Sequence, residues 1–269
     1  MSSYFCALTI AGSDSGGGAG IQADLKTFSA LGVFGMSAIT ALTAQNTRVV
    51  TGIFPAPPEF IGRQIDAVME DIGTHAVKIG MLHSPEVIET VAAKLEQWGC
   101  SNVVLDPVMI SKSGDTLLRE DAVAALKERL LPLATIVTPN LPEASVLLGQ
   151  NIETAKEMPF AAKALADLGA ANVLVKGGHL QGETSHDLFF DAANNAMTPL
   201  KGPRIETANS HGTGCTLSSA IAAGLAKDLD LVTAVEQAKT YITGALKAGA
   251  SYTTGRGHGP VHHFYNLWK

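Results

Sequence analysis

The sequence predicts an α/β fold of three layers, in which helices cover both faces of a mainly parallel central sheet. Two observations support this prediction. Short apolar runs alternate with stretches of helical spacing along the whole chain, and strands separated by helices pair in parallel and need cover on both faces. In addition, no linker-like composition and no internal repeat divides the 269 residues. We therefore expect one domain that spans residues 1–269.

The first half of the chain shows this alternation in order. Residues 4–11 form an apolar run that stops at Gly12, as a buried strand does. Helical spacing follows over 20–31, and a second strand is predicted over 36–44 before prolines interrupt the pattern at 55–58. The remaining elements predicted in this half are a helix over 59–72, a strand over 76–81 and a helix over 85–97.

The second half repeats the pattern. We predict strands over 102–105, 134–138, 172–176 and 187–191, and helices over 120–130, 141–148, 155–168, 214–226 and 231–248. In an open parallel sheet the ligand lies beyond the carboxyl ends of the strands. The residues that follow each strand are therefore the first candidates for a functional site.

Bulk composition narrows the class of protein. The formal net charge is −6 and no Lys/Arg cluster stands out, which gives no support to nucleic-acid binding. The three cysteines are far apart and form no CxxC pair, so neither a disulfide framework nor a zinc site is indicated. No apolar run reaches the ~18 residues that a bilayer crossing needs, and the first residues lack the features of a secretory signal. We expect a soluble, cytoplasmic protein.

A glycine-rich segment at 12–20 follows the first predicted strand. It fails both phosphate-loop patterns: Gly18 occupies the place of the lysine in GxxxxGK[ST], and Gly16 and Gly18 are followed by Ile21 instead of the third glycine of GxGxxG. A dinucleotide-dependent dehydrogenase is therefore disfavoured. Two interpretations stay open, a backbone that passes close to a flat ligand and a flexible turn.

A second glycine-containing segment runs directly into an alanine-rich, helix-favouring stretch. Gly212 and Gly214 alternate with hydroxyl residues, so the segment presents free backbone N–H groups at a helix N-terminus, where an anion binds. The alternative is a tight turn capped by Thr213 or Ser210. Cys215 favours the anion site, because the positive end of a helix lowers the pKa of a thiol.

Two polar residues lie near the first glycine-rich segment. Gln45 ends the second predicted strand, and its amide offers donors and an acceptor that suit the edge of a heterocycle; the alternative is a solvated loop residue. Asp24 lies in the first turns of the helix that follows the glycines. The simpler interpretation of Asp24 is a surface carboxylate that complements the helix dipole, and the alternative is a side chain that contacts the ligand.

Polar residues also follow the later strands. Asp106 follows one strand, Asn140 and Glu143 follow the next, and Lys176 ends another. Taken singly, each has a structural alternative as a cap, a helix-start charge or a surface lysine. Together they suit phosphoryl transfer, because a lysine and backbone amides neutralise phosphate oxygens, and Asp, Asn and Glu side chains hold Mg²⁺ directly or through water.

Five motifs occur in one order along the chain. They are AGSDSGGGAG at 11–20, DPVM at 106–109, TPNLPE at 138–143, KGGH at 176–179 and HGTGC at 211–215. This combination resembles the ribokinase-like vitamin kinases, and within them the hydroxymethylpyrimidine/phosphomethylpyrimidine kinase family of thiamine biosynthesis. The resemblance covers nearly the whole chain, and five motifs in register are far more specific than any one of them.

The resemblance implies a ribokinase-like fold and two successive ATP-dependent phosphorylations. The first acts on the hydroxymethyl group of 4-amino-5-hydroxymethyl-2-methylpyrimidine and the second on the resulting monophosphate, with ATP and Mg²⁺ as the ligands besides the pyrimidine and a homodimer as the assembly. The implied site residues are an anion hole with a catalytic cysteine (Gly212, Thr213, Gly214, Cys215), a phosphate-binding lysine with further nucleotide contacts (Lys176, Asn140, Gly178), residues near magnesium (Asp106, Glu143) and a pyrimidine pocket (Gly12, Asp24, Gln45, Met81, Val108).

Cys215 departs from the sugar kinases of this superfamily, which carry an aspartate general base at this place. We expect its thiolate to accept the alcohol proton in the first phosphorylation. The second phosphorylation starts from an ionised phosphate and needs no base, so Cys215→Ala or Cys215→Ser is expected to impair the first step more. The alternative is a small buried cysteine that only fills space.

Three further expectations complete the interpretation. The segment 106–116 is polar and contains glycine, which is typical of a flap that excludes water. The histidines share no metal-ligand spacing and are interpreted as structural or surface residues: His179, His211, His258, His262 and His263. Two rival functions stay open, a pyridoxal or pyridoxine kinase with the same HGTGC ending, and a non-catalytic nucleotide- or metabolite-binding protein on the same scaffold.

Overall fold

The computed structural model describes residues 3–109, 119, 121–178, 180 and 182–268. The described part contains nine strands, all in one sheet. They are β1 (Cys6–Asp14), β2 (Phe34–Gln45), β3 (Val50–Pro55), β4 (Ala76–Ile79), β5 (Val103–Leu105), β6 (Ile136–Val137), β7 (Asn172–Lys176), β8 (Thr184–Asp191) and β9 (Ala196–Pro203).

Eight α-helices connect these strands within the described residues. They are α1 (Gly20–Ala30), α2 (Pro58–Asp71), α3 (Pro85–Gln97), α4 (Ala122–Ala125), α5 (Leu141–Leu148), α6 (Met158–Asp167), α7 (Thr213–Ala226) and α8 (Leu231–Gly249). The short α4 continues as a π-helical turn over Leu126–Leu130 and a 3₁₀ turn over Leu131–Leu133.

The strands are arranged in the order β3-β2-β1-β4-β5-β6-β7-β8-β9. Pairing is parallel from β2 to β7, whereas β3 is antiparallel to β2, and β8 is antiparallel to both β7 and β9. The chain moves outward from β1 to β2 and then returns to place β4 on the other side of β1. This reversal of strand order is the position at which open α/β sheets bind ligands.

Helices cover both faces of the sheet because the central strands are apolar on both sides. Every residue of β4 and β5 is buried. Side chains of α2 to α6 pack on one face in one apolar cluster, and side chains of α1, α7 and α8 pack on the other face in a second cluster. The predicted three-layer, mainly parallel architecture is confirmed.

The elements at the two ends of the sheet differ most from the prediction. The edge strands β3 and β9 were not predicted, and β8 is three residues longer at its start than the β segment predicted over 187–191. β1 extends through Gly12 to Asp14, with a shift of register between Ala11 and Ser13 where it pairs with β2. The helix predicted over 120–130 forms only one α-helical turn before its π-helical continuation.

Two expectations fall outside the described residues. They are the flap, of which residues 110–116 are not described, and the interpretation of His179. For the part of the chain that is described, none of the helices combines the length and the apolar composition that a bilayer crossing requires.

Candidate active site

A cavity of about 620 Å³ lies beyond the carboxyl ends of the strands. Its wall comes from the ends of β1, β2 and β4 on one side, and from α5, β7, β9 and α8 on the other, with Asp106 and the start of α7 between them. The structure brings almost all predicted site residues to this wall: Gly12, Gln45, Met81, Asp106, Val108, Asn140, Glu143, Lys176, Gly178, Gly212, Thr213, Gly214 and Cys215.

The start of α7 forms the floor of the cavity. Gly212 precedes the helix with φ of 80°, and a β-carbon there would collide with the carbonyl oxygen of Gly18. Only glycine tolerates both conditions. The first turn of α7 has no side-chain cap. Thr213 N donates to the Ser210 carbonyl at 3.4 Å, whereas Gly214 N and Cys215 N have no hydrogen-bond partner among the described residues and can donate to an anion. The alternative of a helix start capped by Thr213 or Ser210 is wrong, since no side chain caps α7 and the Thr213 hydroxyl donates to the Ser210 carbonyl.

A lysine and two carboxylates meet beside this helix start. Lys176 Nζ lies 2.8 Å from Asp106 Oδ1 and 3.8 Å from Glu143 Oε2. A β-carbon on Gly214 would lie 3.3 Å from Lys176 Nζ and 3.5 Å from Asp106 Oδ2. The absence of a side chain at Gly214 therefore leaves room for a ligand atom next to the ammonium group and the carboxylate.

The charges of this cluster are set by burial and by one another. Burial alone would raise the pKa of Asp106, but Lys176 and Lys78 outweigh it and hold that pKa below its usual range. Burial would lower the pKa of Lys176, and the Asp106 and Glu143 carboxylates reverse this effect and raise it. Burial raises the pKa of Glu143 to about 7, with Asp106 adding to the effect and Lys176 opposing it.

Asn140 and Glu143 are held rigidly by the helix they begin. Asn140 Oδ1 accepts from Glu143 N at 2.8 Å, and Glu143 Oε2 accepts from Asn140 N at 2.7 Å, so the two residues form a capping box at the start of α5. This local pattern explains the Asn-x-x-Glu spacing as helix architecture. It also points the Glu143 carboxylate toward Lys176.

The donor set suits a magnesium ion that arrives with a phosphate. No group of three or more His, Cys, Asp or Glu side chains in the described ranges is arranged around one metal position. Mg²⁺ characteristically keeps several waters and binds through one or two carboxylates together with substrate phosphates. Asp106 and Glu143, both beside Lys176, supply such a pair of carboxylates.

Cys215 lies in the same floor, but its thiol is not activated. Burial raises the pKa of Cys215 to about 11; Lys78 opposes this shift, and the Asp24 and Asp106 carboxylates add to it. The expectation that the helix start lowers this pKa is wrong, because desolvation exceeds the influence of the helix end. At neutral pH Cys215 is a neutral thiol.

Asp24 does not reach the cavity wall. The carboxylate has no solvent exposure, and its oxygens accept from Lys78 Nζ at 3.0 Å, from Thr9 Oγ1 at 2.6 Å and from Ser219 Oγ at 2.6 Å. The expected pyrimidine contact is therefore corrected: Asp24 lies behind the floor and holds Lys78. The sequence reasoning missed Lys78, which is part of the cavity lining and fully buried.

The signal for Lys78 was a lysine inside a short apolar strand. Such a residue needs a buried counter-charge, since an unpaired ammonium group in a core is very unfavourable. Burial would lower the pKa of Lys78, but the Asp24 and Asp106 carboxylates outweigh burial and raise it.

The other end of the cavity is smaller and more apolar. Met81 and Ala41 are buried in a small cluster with Val108 and Ile53 packed against it. A β-carbon on Gly12 would lie 3.1 Å from Met81 Sδ, so a side chain at this position would crowd Met81. Gln45, Thr43 and His211 add a few polar groups beside this apolar wall, as is usual in small-molecule pockets.

Asp14 and His211 connect the two glycine-containing segments. Asp14 accepts from the backbone N–H groups of Gly16, Gly18 and Ala19, and its Oδ2 lies 2.9 Å from His211 Nε2. His211 is buried and lies 3.3 Å from the Gln45 amide. Its interpretation as a structural residue was incomplete, since it lines the cavity together with Gln45.

Comparison with known proteins was decisive for the family. The family model described as phosphomethylpyrimidine kinase matches residues 14–262 of this chain. The chain belongs to this family. A hydroxymethylpyrimidine/phosphomethylpyrimidine kinase of Rhizobium meliloti is 56% identical over 264 residues, which cover 98% of both proteins.

Solved structures of the phosphomethylpyrimidine kinase family and of pyridoxal kinases share this fold. An ADP complex of pyridoxal kinase from Bacillus subtilis matches with a TM-score of 0.90 and 40% identity, over 98% of this chain and all of the other. The phosphomethylpyrimidine kinase of Clostridium difficile 630 matches with a TM-score of 0.79 and 47% identity, over 90% of this chain and 99% of that one. The ribokinase-like fold expected from the resemblance is confirmed.

Proposed function

We propose that this chain phosphorylates 4-amino-5-hydroxymethyl-2-methylpyrimidine with ATP, and then phosphorylates the monophosphate to the diphosphate for thiamine biosynthesis. One observation carries the proposal beyond family membership. A single cavity joins a small pocket, formed by Met81, Val108 and the Gln45 amide, to a cluster of phosphate-binding groups at Lys176 and the start of α7. A flat heterocycle and a polyphosphate therefore have separate places with the transfer position between them.

The transfer position is the floor between Gly214 and Lys176. Backbone N–H groups at the start of α7 and the Lys176 ammonium group face the same space. Groups of this kind stabilise the charge that spreads over the equatorial oxygens of a phosphoryl group during transfer. Because their positions are set by the helix and by the Asp106 contact, they need little reorganisation when the phosphoryl group arrives.

Magnesium, when bound with ATP, would neutralise charge on the phosphate oxygens. Asp106 and Glu143 are the residues that would hold it, directly or through water. Glu143 is fixed for this by the capping box. Asp106 is fixed by Lys176 and by the hydroxyl groups of Thr138 and Ser218, each 3.3 Å away.

Cys215 contributes to this proposal as a neutral thiol in the wall next to the hydroxymethyl group. Its raised pKa of about 11 removes the support for a preformed thiolate base. In the loose transition state of phosphoryl transfer the attacking alcohol keeps most of its proton until late. Asp106, whose pKa is held low, stays ionised at the centre of the cavity as an acceptor.

Pyridoxal is the second candidate substrate. The specific observation is the TM-score of 0.90 with a pyridoxal kinase at 40% identity. The non-catalytic alternative is less well supported, because a protein that only binds a nucleotide does not require Lys176, Asp106 and Glu143 to converge at one point.

An ATP-consumption assay tests the proposal directly. The aminopyrimidine, its monophosphate and pyridoxal are supplied in parallel with MgATP, and ADP release is measured for each. We expect turnover of the first two substrates. Activity confined to pyridoxal would overturn the substrate assignment and leave the fold unaffected, whereas ATP binding without turnover of any of the three would support the non-catalytic alternative.

The homodimer, the cytoplasmic location and the single domain over 1–269 stay predictions. The homodimer rests on the family resemblance alone. Gel filtration with light scattering measures it.

A further inference from the structure

Hydrogen bonding around Asp14 decides which atom of His211 carries a proton. Asp14 Oδ1 accepts from Gly16 N at 2.8 Å, and Oδ2 accepts from Gly18 N at 3.0 Å and Ala19 N at 2.9 Å. These donors and His211 outweigh burial and lower the pKa of Asp14. An ionised carboxylate only accepts. His211 Nε2, 2.9 Å from Oδ2, must therefore carry a hydrogen and donate it.

This assignment conflicts with one orientation of the Gln45 amide. With Nε2 of Gln45 placed 3.3 Å from His211 Nε2, two donors face each other. Thr43 gives a second conflict, because its single hydroxyl hydrogen would have to serve both the Ser13 carbonyl at 2.9 Å and Gln45 Oε1 at 3.1 Å. Exchanging the oxygen and nitrogen of the amide removes the donor–donor clash and leaves the Thr43 hydrogen to the Ser13 carbonyl alone. The single Nε2 hydrogen of His211 is then shared between Asp14 Oδ2 at 2.9 Å and the Gln45 oxygen at 3.3 Å, as a three-centre hydrogen bond.

The exchanged amide forms a continuous chain of donors and acceptors. His211 donates to the Gln45 oxygen, the Gln45 NH₂ donates to the Thr43 hydroxyl, and Thr43 donates to the carbonyl of Ser13. Two groups that can only accept set the direction of this chain from its two ends, the Asp14 carboxylate through His211 and the Ser13 carbonyl through Thr43. The hydroxyl group and the amide between them would adapt to either direction.

We propose that His211, held by Asp14, is a positioning residue that acts with Thr43 to fix the Gln45 amide in one orientation and thereby selects an aminopyrimidine edge. Gln45 lines the cavity. In the fixed orientation its oxygen keeps one free lone pair and its nitrogen keeps one free N–H. These match a ring nitrogen that accepts beside an exocyclic amino group that donates. The 4-oxo analogue, 5-hydroxymethyl-2-methylpyrimidin-4-one, presents the reverse pattern.

This inference rests on the proposed function, and it predicts a specific discrimination. The wild-type protein should favour the 4-amino substrate over the 4-oxo analogue by at least about tenfold in kcat/KM, because the wrong edge leaves buried polar groups unpaired. His211→Leu removes the restraint on the oxygen end of the Gln45 amide and leaves only the contact with Thr43 at the other end. The amino/oxo ratio should then fall to within about threefold of one, mainly through improved use of the 4-oxo analogue relative to the amino substrate.

The experiment measures both ratios at one pH with MgATP in excess. His258→Ala is the matched control, since His258 is exposed and its backbone N–H, bound to the Thr47 carbonyl, is unaffected; it should keep the wild-type ratio. A wild-type preference below about twofold would overturn the inference without any variant. An unchanged ratio in a folded His211→Leu protein would overturn it as well.

Failure of the proposed function gives a different result. In that case the wild-type protein consumes no ATP with the aminopyrimidine at all. If the wild-type protein turns over the amino substrate and His211→Leu loses the amino/oxo preference, the proposed function and the role of His211 are both supported. A merely structural role of His211 lowers the rates with both substrates together and leaves their ratio unchanged, which counts against the inference.

Discussion

Cys215 shows how a single residue is governed by two opposing physical effects. It lies in the first turn of α7, where the helix end favours a thiolate. It also lies in a desolvated floor with two carboxylates nearby, and these raise its pKa to about 11. The second effect exceeds the first, so the residue that looked like a base from its position in the sequence is a neutral thiol.

This result gives a prediction for the pH dependence of the first phosphorylation. If a thiolate were required, kcat/KM for the alcohol would rise about tenfold per pH unit toward 11. We expect no such rise between pH 7.5 and 9.5. We also expect Cys215→Ser, which keeps a small polar group, to keep most of both phosphorylations. The measurement is kcat/KM for the aminopyrimidine and for its monophosphate in separate assays.

A particular pattern would restore Cys215 as the base. A general base contributes about 100- to 10,000-fold to a rate. A loss of that size in the first phosphorylation of Cys215→Ser, with the second one unaffected, would contradict the neutral-thiol assignment.

At the residue scale, the sequence identified side chains that follow or end a strand and missed those whose role depends on a buried partner from a distant element. Lys176, Asp106 and Gln45 were predictable because each follows or ends a strand, and strand ends converge in a parallel sheet. Lys78 and His211 were not identified, because their importance depends on Asp24 and Asp14. Which carboxylate meets which cation is set by packing between distant elements, and periodicity carries no information about that.

At the scale of elements, the Lys78–Asp24 ion pair connects β4, α1 and α7 inside the second apolar cluster. Both side chains have no solvent exposure. The carboxylate also accepts from Thr9 on β1 and Ser219 on α7. Ser219 lies one helical turn after Cys215 on α7, so the ion pair holds the floor of the cavity in place through this contact.

Removing one member of this pair should strongly destabilise the fold. Lys78→Met leaves a buried carboxylate without its counter-charge, and we expect the free energy of unfolding to fall by about 3–5 kcal/mol. The double variant Lys78→Met/Asp24→Asn should recover a substantial part of that loss, because the amide that replaces the carboxylate is neutral and keeps the hydroxyl partners. Urea unfolding measures both.

The partly exposed Lys94–Asp66 pair is the control for this comparison. Its side chains retain 22% and 25% exposure. Lys94→Met should lower stability by only about 1 kcal/mol or less. A double variant no more stable than Lys78→Met alone would show that the charge of Asp24 is not the cause.

The start of α5 gives a prediction with a defined pH range. Glu143 has a pKa of about 7 in the folded protein against an ordinary value of 4.5. Between these two values the folded state holds the proton more tightly than the unfolded state, so stability falls as the pH rises from about 4.5 to 7. Glu143→Gln removes this decline and keeps the capping box. We expect the metal-free variant to gain thermal stability over wild type at pH 8 and not at pH 4.5.

The exposed Glu86 in the first turn of α3 serves as the control. A hydrogen bond with Ser84 lowers its pKa, so Glu86→Gln should bring no gain at pH 8. An equal gain in both variants would point to overall charge instead of the burial of Glu143.

The fold was predictable from the sequence where elements bury an apolar face, and it was not predictable at the sheet edges. The bounds of α3 and α5 agree with their predicted ranges, since prolines near their first positions and apolar spacing define them. The edge strands β3 and β9 are mostly exposed or half-buried. Each pairs with a single antiparallel neighbour and buries little apolar surface, so its sequence contains no apolar run from which a strand could be predicted.

At the scale of the whole molecule, the proposed function places the two ligands in different halves of the cavity, on either side of the middle of the sheet. The first three strands of the parallel region carry the apolar pocket with Gln45, and the strands on the other side carry Lys176, Gly178 and Arg204. Asp106, at the end of β5, lies between the two halves. Variants at the far end of either half should therefore affect one substrate only.

Arg204 tests this division at the nucleotide end. Its Nε donates to the Gly182 carbonyl at 2.8 Å and its Nη1 to the Gly178 carbonyl at 2.9 Å. Its buried Nη2 has no hydrogen-bond partner among the described residues, and a bound anionic ligand would supply one. We expect Arg204→Met to raise the KM for ATP by about tenfold and to leave the KM for the pyrimidine within about twofold.

Gln45→Leu should show the opposite pattern, with a raised KM for the pyrimidine and an unchanged KM for ATP. Lys201→Met on β9 is the control for loss of a positive charge, since Lys201 is exposed and does not line the cavity. Steady-state kinetics with each substrate varied in turn measures all three variants. If Arg204→Met and Gln45→Leu each raised both KM values equally, the two ligands would not be held by separate halves of the sheet, and the placement of the pyrimidine at Gln45 would have to be abandoned.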